Sequence, residues 1–319
     1  MPDFAASAKS LTIAFATIVH TSGWQLIPEK TLTMARFKQL VPKRFRNEGT
    51  VIPVIRLQGA IMPGGNQFRP NLNLAGVAPL LDKAFGDKKA PAVAISINSP
   101  GGSPVQSRLI FRRIRDLAAE KEKKVLMFVE DVAASGGYMI AIAGDEIYAD
   151  PSSIVGSIGV VSASFGFPEM LNKIGVERRV YTAGKNKATL DPFQPEKPAD
   201  VEHLKSLQLE VHKVFIDMVK DRRGDKLADD DDLFTGLFWS GMRGKELGLV
   251  DELGDMRSVL KAKFGEKTEL RLISASRGLF GRRATGASVE SWAGALGANA
   301  TDGLIGSLEE KSLWNRYGL

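Results

Sequence analysis

Ala92–Gly102 reads AVAISINSPGG, and Lys124–Tyr138 reads KVLMFVEDVAASGGY. Each opens on a nearly continuous apolar run, Ala92–Asn98 in the first and Lys124–Glu130 in the second. Short runs of that kind are what a strand shows when both its faces are covered. Each run then breaks at a glycine pair and gives way to helical spacing. After the first, Val105, Leu109, Ile110, Ile114, Leu117 and Ala118 recur at intervals of three and four, with Arg and Lys opposite, which predicts an amphipathic helix. After the second, Ser135–Gly144 predicts a helix of small residues. A buried strand that feeds a helix returning to another buried strand is the unit of a parallel sheet.

The pattern extends both ways. Val51–Ile61 (VIPVIRLQGAI), Glu146–Ala149 and Arg178–Tyr181 predict strands, and Leu74–Phe85 and Met170–Ile174 predict helices. Leu204, Leu207, Val211, Val214, Phe215, Met218 and Val219 mark a long amphipathic helix. An α/β domain with a mainly parallel sheet is therefore predicted over residues 50–275, between an extension (1–49) and a tail (276–319). In the extension, Leu11–Val19 is too short to cross a bilayer, which takes about 20 apolar residues. Lys30–Arg46 is basic with interleaved Phe37, Leu40, Val41 and Phe45, and fits either an anionic membrane surface or a solvated arm. Met34 is a candidate second start. The tail is rich in Gly, Ala and Ser from Gly278 to Gly306 and closes on SLWNRYGL, whose aromatic side chains read as exposed on a mobile, docking peptide.

The chain has 319 residues, 44% hydrophobic and 25% charged, which is globular composition. The absence of cysteine excludes disulfides, zinc ribbons and thiol nucleophiles. Only His20, His203 and His212 are present, and two of them fall on the long helix, so a metal site is not expected; no other cofactor is expected either. A net charge of +6 is too mild to imply nucleic acid, and phosphate-loop patterns are missing.

In such folds chemistry gathers in the loops beyond the carboxyl ends of the strands. Those loops here are Ser99-Pro100-Gly101-Gly102, Asp131–Tyr138 with Ser135 before two glycines, Gly156-Ser157-Ile158-Gly159, and Gly184-Lys185-Asn186-Lys187. Singly they are turns, a helix cap and a solvated loop. Together they hold a nucleophile, a basic side chain and paired N–H donors, the parts needed for acyl transfer. No histidine is positioned as the base, since His203 and His212 read as remote from every glycine-rich loop. No G-x-S-x-G elbow surrounds Ser135, which disfavours an α/β-hydrolase. A Ser-Lys dyad needs only an amine made neutral by burial, and Lys185 and Lys187 are both candidates on spacing.

NSPGG (98–102), DVAASGGYMIA (131–141), PSSIVGSIGV (151–160) and FWSGMRGKELGLVDELG (238–254), in that order, resemble the bacterial signal peptide peptidase SppA/SohB family of serine peptidases. The resemblance runs from Val51 to Ser274. It implies a Clp-protease/crotonase-like spiral of ββα units. It implies Ser135 as nucleophile, Lys187 as general base, Ser157 orienting that lysine, and the N–H groups of Gly102 and Gly136 as oxyanion hole. It further implies hydrophobic peptide substrates, spent signal peptides among them, and a homo-oligomeric ring whose neighbouring subunits share the site. Membrane-type relatives carry a spanning helix that is not evident here, so a bacterial cytoplasmic or peripheral inner-membrane location is expected. A crotonase-like acyl-CoA enzyme would leave the serines and lysine without purpose, and an inactive peptide- or membrane-binding scaffold would leave the dyad without purpose.

Overall fold

The computed structural model describes residues 49–64, 71–274 and 310–319. The apolar run at 11–19, the basic stretch at 30–46 and the Gly/Ala/Ser-rich segment at 278–306 lie outside the described residues.

Strands β1 (Val51–Gln58), β2 (Ala92–Ser99) and β3 (Lys124–Ala134) form the centre of the sheet, with helices α1 (Leu74–Phe85) and α2 (Pro104–Glu120) between them. Next come α3 (Gly136–Ala141), β4 (Glu146–Ala149), β5 (Ile154–Gly156), α4 (Pro168–Lys173) and the 26-residue α5 (Pro198–Arg223). Then follow β6 (Phe238–Ser240), α6 (Gly241–Glu246), β7 (Glu252–Leu253), α7 (Met256–Phe264) and β8 (Glu269–Leu272). The eight strands make one sheet in the order β6-β5-β3-β2-β1-β8, with β4 and β7 branching from β3. Every pairing is parallel except β5 with β6. The fold is thus the expected α/β class.

β2 is buried at all eight positions, which is why its sequence does not alternate. Its side chains nonetheless divide by parity. Val93, Ile95 and Ile97, with Val125, Met127 and Val129 of β3, join the core under α1, α2, α3 and the end of α5. Ala92, Ala94, Leu126 and Phe128 join a second cluster closed by Tyr148 and by Leu260 of α7. Helices therefore cover both faces, as continuous apolar strands require.

Residues 178–181 are not a strand. They lie in an almost wholly exposed arm (160–197) that holds α4 and pairs with no described strand. A strand-like stretch without a neighbour to bond cannot form a ladder. The long helix also differs from its reading. Phe215, Val219 and Arg223 are buried, but Leu207, Leu209 and Val214 are exposed, so its first half projects away from the core with the arm. No described helix is long and apolar enough to cross a membrane.

Candidate active site

The site is set by an irregularity at the end of β3. That strand pairs with β4 through Leu126–Val129 and with β5 through Val132–Ala134, while its register with β2 slips between Ile97 and Ser99. The slip is held by side chains. Asn98 Nδ2 donates to Asp131 Oδ2 at 2.5 Å, and Asn98 Oδ1 accepts the Val132 N–H at 3.2 Å. Buried Ser153 donates to the Glu130 carbonyl at 2.5 Å. Bulges re-aim the strand end that follows them. The sequence reading gave Asn98, Asp131 and Ser153 no role, although all three stand inside the quoted motifs.

Ser135 follows the re-aimed strand with φ 53°, in the left-handed region that costs a residue with a Cβ about 1–2 kcal/mol. Its N–H donates to the Gly156 carbonyl at 2.9 Å and its carbonyl accepts the Met139 N–H at 3.0 Å. Its side chain makes no capping hydrogen bond to α3. The bland alternative, a helix-capping serine, is therefore not what Ser135 does here. The hydroxyl is partly exposed at the start of a helix, and the backbone beneath it is pinned on both sides.

Beside it lies Gly102. The Ile61 N–H donates to the Gly101 carbonyl at 2.8 Å, and the Ser103 N–H donates to the Ile61 carbonyl at 2.6 Å. In a parallel bridge of that kind the intervening Gly102 N–H turns away from Ile61. A Cβ on Gly102 would sit 2.1 Å from the Ile61 carbonyl oxygen, so only glycine fits. A Cβ on Gly136 would meet Ser107 Oγ at 2.4 Å and the Gly102 nitrogen at 3.3 Å, so these two peptide groups are neighbours. Among the described residues neither N–H has an acceptor; Gly136 opens α3, where no preceding turn supplies one. Two unsatisfied donors next to a serine hydroxyl suit a developing oxyanion.

Ser157 begins the turn after β5, also at a positive φ of 54°, and its N–H donates to the Leu237 carbonyl at 2.7 Å. It stands one residue past Gly156, whose carbonyl holds Ser135. Ser157 Oγ lies 3.2 Å from the hydroxyl of Tyr317, which is buried against the body although its stretch reads as exposed. His212 departs from its reading as well. Its Nε2 lies 2.9 Å from the Ile158 carbonyl oxygen; a carbonyl only accepts, so Nε2 carries the proton. The signal was present in the spacing, since His212 stands three and seven residues before the core positions Phe215 and Val219.

The structure brings Ser135, Gly102, Gly136 and Ser157 together. It does not bring Lys187 to them within one chain. Lys187 and Lys185 are exposed on the arm, in a turn closed by the Lys187 N–H donating to the Gly184 carbonyl at 3.1 Å. Neither ammonium has a hydrogen-bond or ion-pair partner among the described residues. The arm is tied chiefly to itself, by Arg178 with Asp191 and by the Phe167 N–H with the Pro192 carbonyl.

The family model for peptidase family S49 matches residues 118–268. A putative protease of Synechocystis is 33% identical over 210 residues, which span 64% of this chain and 75% of that protein. The chain belongs to peptidase family S49. The S49 match covers β3, the Ser135 turn, the Ser157 turn, the arm and the 238–254 segment. A protein of Brucella abortus named Na(+)/H(+) antiporter NhaA is 66% identical over 285 residues, 88% of this chain; this S49 chain spans 39% of that relative's length. A solved mutant of 1510-N membrane-bound stomatin-specific protease overlaps it with a TM-score of 0.44 at 15% identity, covering 72% of this chain and 99% of that one.

Proposed function

We propose that the protein is a serine endopeptidase in which Ser135 is acylated by peptides, with Lys187 as general base. The observation that carries this reading is the Ser135 turn: a strained, uncapped serine beside two N–H groups that have no acceptor among the described residues. In the reaction the Lys187 amine takes the Ser135 proton as Oγ attacks a peptide carbonyl. The oxyanion so formed accepts hydrogen bonds from Gly102 and Gly136. Collapse breaks the C–N bond, the lysine returns its proton to the leaving amine, and an acyl-enzyme remains. Water, activated by the same amine, then releases the acid and regenerates Ser135. Ser157 Oγ orients the lysine. Extended hydrophobic peptides, signal-peptide remnants among them, are the proposed substrates.

Because the arm that carries Lys187 is exposed, the proposed site is completed by a second copy in a homo-oligomeric ring. Support comes from apolar side chains with no described cover: Val161 at 60% exposure, Phe165 at 79%, Ile174 at 61% and Tyr181 at 90%. Isolated exposed apolar residues are ordinary, but a contiguous segment of them marks an interface.

The test is intact-mass analysis after incubation with a fluorophosphonate, on wild type and Ser135→Ala. A single adduct lost in the variant supports the reading. A folded, assembled wild type that takes no adduct refutes it.

A further inference from the structure

Tyr317 touches each loop that frames Ser135. Its ring packs on Val132 and Ala134, the latter immediately before the nucleophile, and on Ile154 of β5. Phe238 of β6 meets it edge-on at 5.0 Å and 78°. Its hydroxyl lies 3.2 Å from Ser157 Oγ and 3.4 Å from the carbonyl of Pro100, in the Gly102 loop. The residue is 8% exposed, although it stands two positions past a short helical stretch at 310–315, in the turn that follows it. That turn is closed by the Tyr317 N–H donating to the Trp314 carbonyl at 2.9 Å and by Gly318 at φ 76°. Trp314 packs beside it against the same cluster.

We infer that residues 310–319 are an internal ligand of the Ser135 cleft, with Tyr317 as its anchor, and that they compete with substrate and with the general base for Ser157. The inference rests on the peptidase reading for its consequence but not for its geometry. A buried tyrosine contributes apolar contact through its ring and needs a partner for its hydroxyl. Here the partner is the serine assigned to orient the lysine. Ser157 Oγ accepts the Tyr317 O–H, which takes one of its two lone pairs and one direction of approach and leaves fewer for an incoming lysine. The ring also packs on Ala134, the residue immediately before Ser135. Because the segment belongs to the same chain, its docking is intramolecular, so a modest contact suffices to occupy the cleft and a good substrate can still displace it.

The test uses the full chain as wild type, Tyr317→Phe and Tyr317→Ala. Backbone hydrogen–deuterium exchange reads docking, and the rate of fluorophosphonate attachment to Ser135 reads access. Docking predicts that Tyr317→Ala exchanges about tenfold faster than wild type both at 313–319 and at 154–157, with Tyr317→Phe between them. Attachment to Ser135 should accelerate by about five- to tenfold in Tyr317→Ala. A synthetic peptide EKSLWNRYGL should slow it again, whereas the same peptide with alanine for tyrosine should not. Equal exchange in wild type and Tyr317→Ala overturns the inference. Lost protection with an unchanged attachment rate also overturns it, because the segment would then dock without competing. If neither chain takes the adduct while Tyr317→Ala loses protection, the peptidase reading fails and the docked segment stands.

Discussion

Replacing Gly102 by alanine separates the oxyanion-hole role of this loop from its turn-forming role. The added Cβ would lie 2.1 Å from the Ile61 carbonyl oxygen, well inside the closest approach real Cβ atoms make, and φ is 138°. Backbone rather than a flexible side chain is in the way, so the loop must shift by about an ångström. That shift opposes two bonds, Ile61 N–H to the Gly101 carbonyl and Ser103 N–H to the Ile61 carbonyl. It carries the Gly102 N–H away from its neighbour at Gly136. Loss of one oxyanion donor costs about 10²–10³ in rate, or roughly 2.7–4 kcal/mol. The control is Gly59→Ala. Gly59 has a φ of 106°, yet nothing lies within 4 Å of its would-be Cβ. It should lose about 1–2 kcal/mol of stability to backbone strain and keep its rate. Both variants are assayed by thermal unfolding and by single-turnover acylation of Ser135. Gly102→Ala that folds and acylates within about threefold of wild type would falsify the assignment of its N–H to the oxyanion.

Other outcomes follow from single contacts. Lys187→Ala should abolish peptide cleavage by the assembled protein while Lys185→Ala keeps most of it; the reverse result would mean that Lys185 is the base. Asp251→Asn should destabilise the fold by about 3–5 kcal/mol, because Arg223, only 2% exposed at its side chain, loses the carboxylate that meets it at 2.9 and 3.2 Å; a loss below about 1 kcal/mol in denaturant titration would rule that out. Burial alone would raise the Asp251 carboxyl, but hydrogen bonds from Arg223 and Lys226 outweigh it and hold it below its ordinary value. Its contribution is therefore complete above the unfolded carboxyl value of about 3.9 and disappears as pH falls through the lower folded value, so wild type should lose stability faster than Asp251→Asn on acidification below about pH 4. His212→Phe removes the bond to the Ile158 carbonyl while keeping a ring on that face, and should slow Ser135 acylation about fivefold with His212→Gln recovering part of it; equal rates in all three would show that the Ser157 turn does not depend on it.

The parts of this fold legible from sequence are those where one physical requirement dominates. β2 is buried throughout and β3 at eight of its eleven positions, so their composition announces them. The glycine pairs at 101–102 and 136–137 were legible because close backbone approach admits little else. β5, β6 and β7 were not, since segments of two or three residues carry no periodicity and take their conformation from the strand they meet. Arg178–Tyr181 has strand-forming residues, but propensity yields where no neighbour offers backbone groups. Tyr317 was read as exposed because nothing local in SLWNRYGL says that Val132, Ala134, Ile154 and Phe238 converge on it. Such contacts span the whole chain and are invisible to spacing.

The long helix α5 has a mechanical consequence. Its 26 residues make a rod about 39 Å long. Among the described residues it is anchored in the core at its carboxyl end, by Phe215, Val219 and Arg223, while its first turn is bonded to the arm, where Asp200 accepts the Leu190 N–H. A rod anchored at one end is a cantilever, and a displacement of its arm end is felt as torque where the rod meets the core. That point is His212, whose ring holds the Ile158 carbonyl next to Ser157. Whatever seats itself on the projecting arm therefore pulls on the same lever that trims the turn beside the nucleophile.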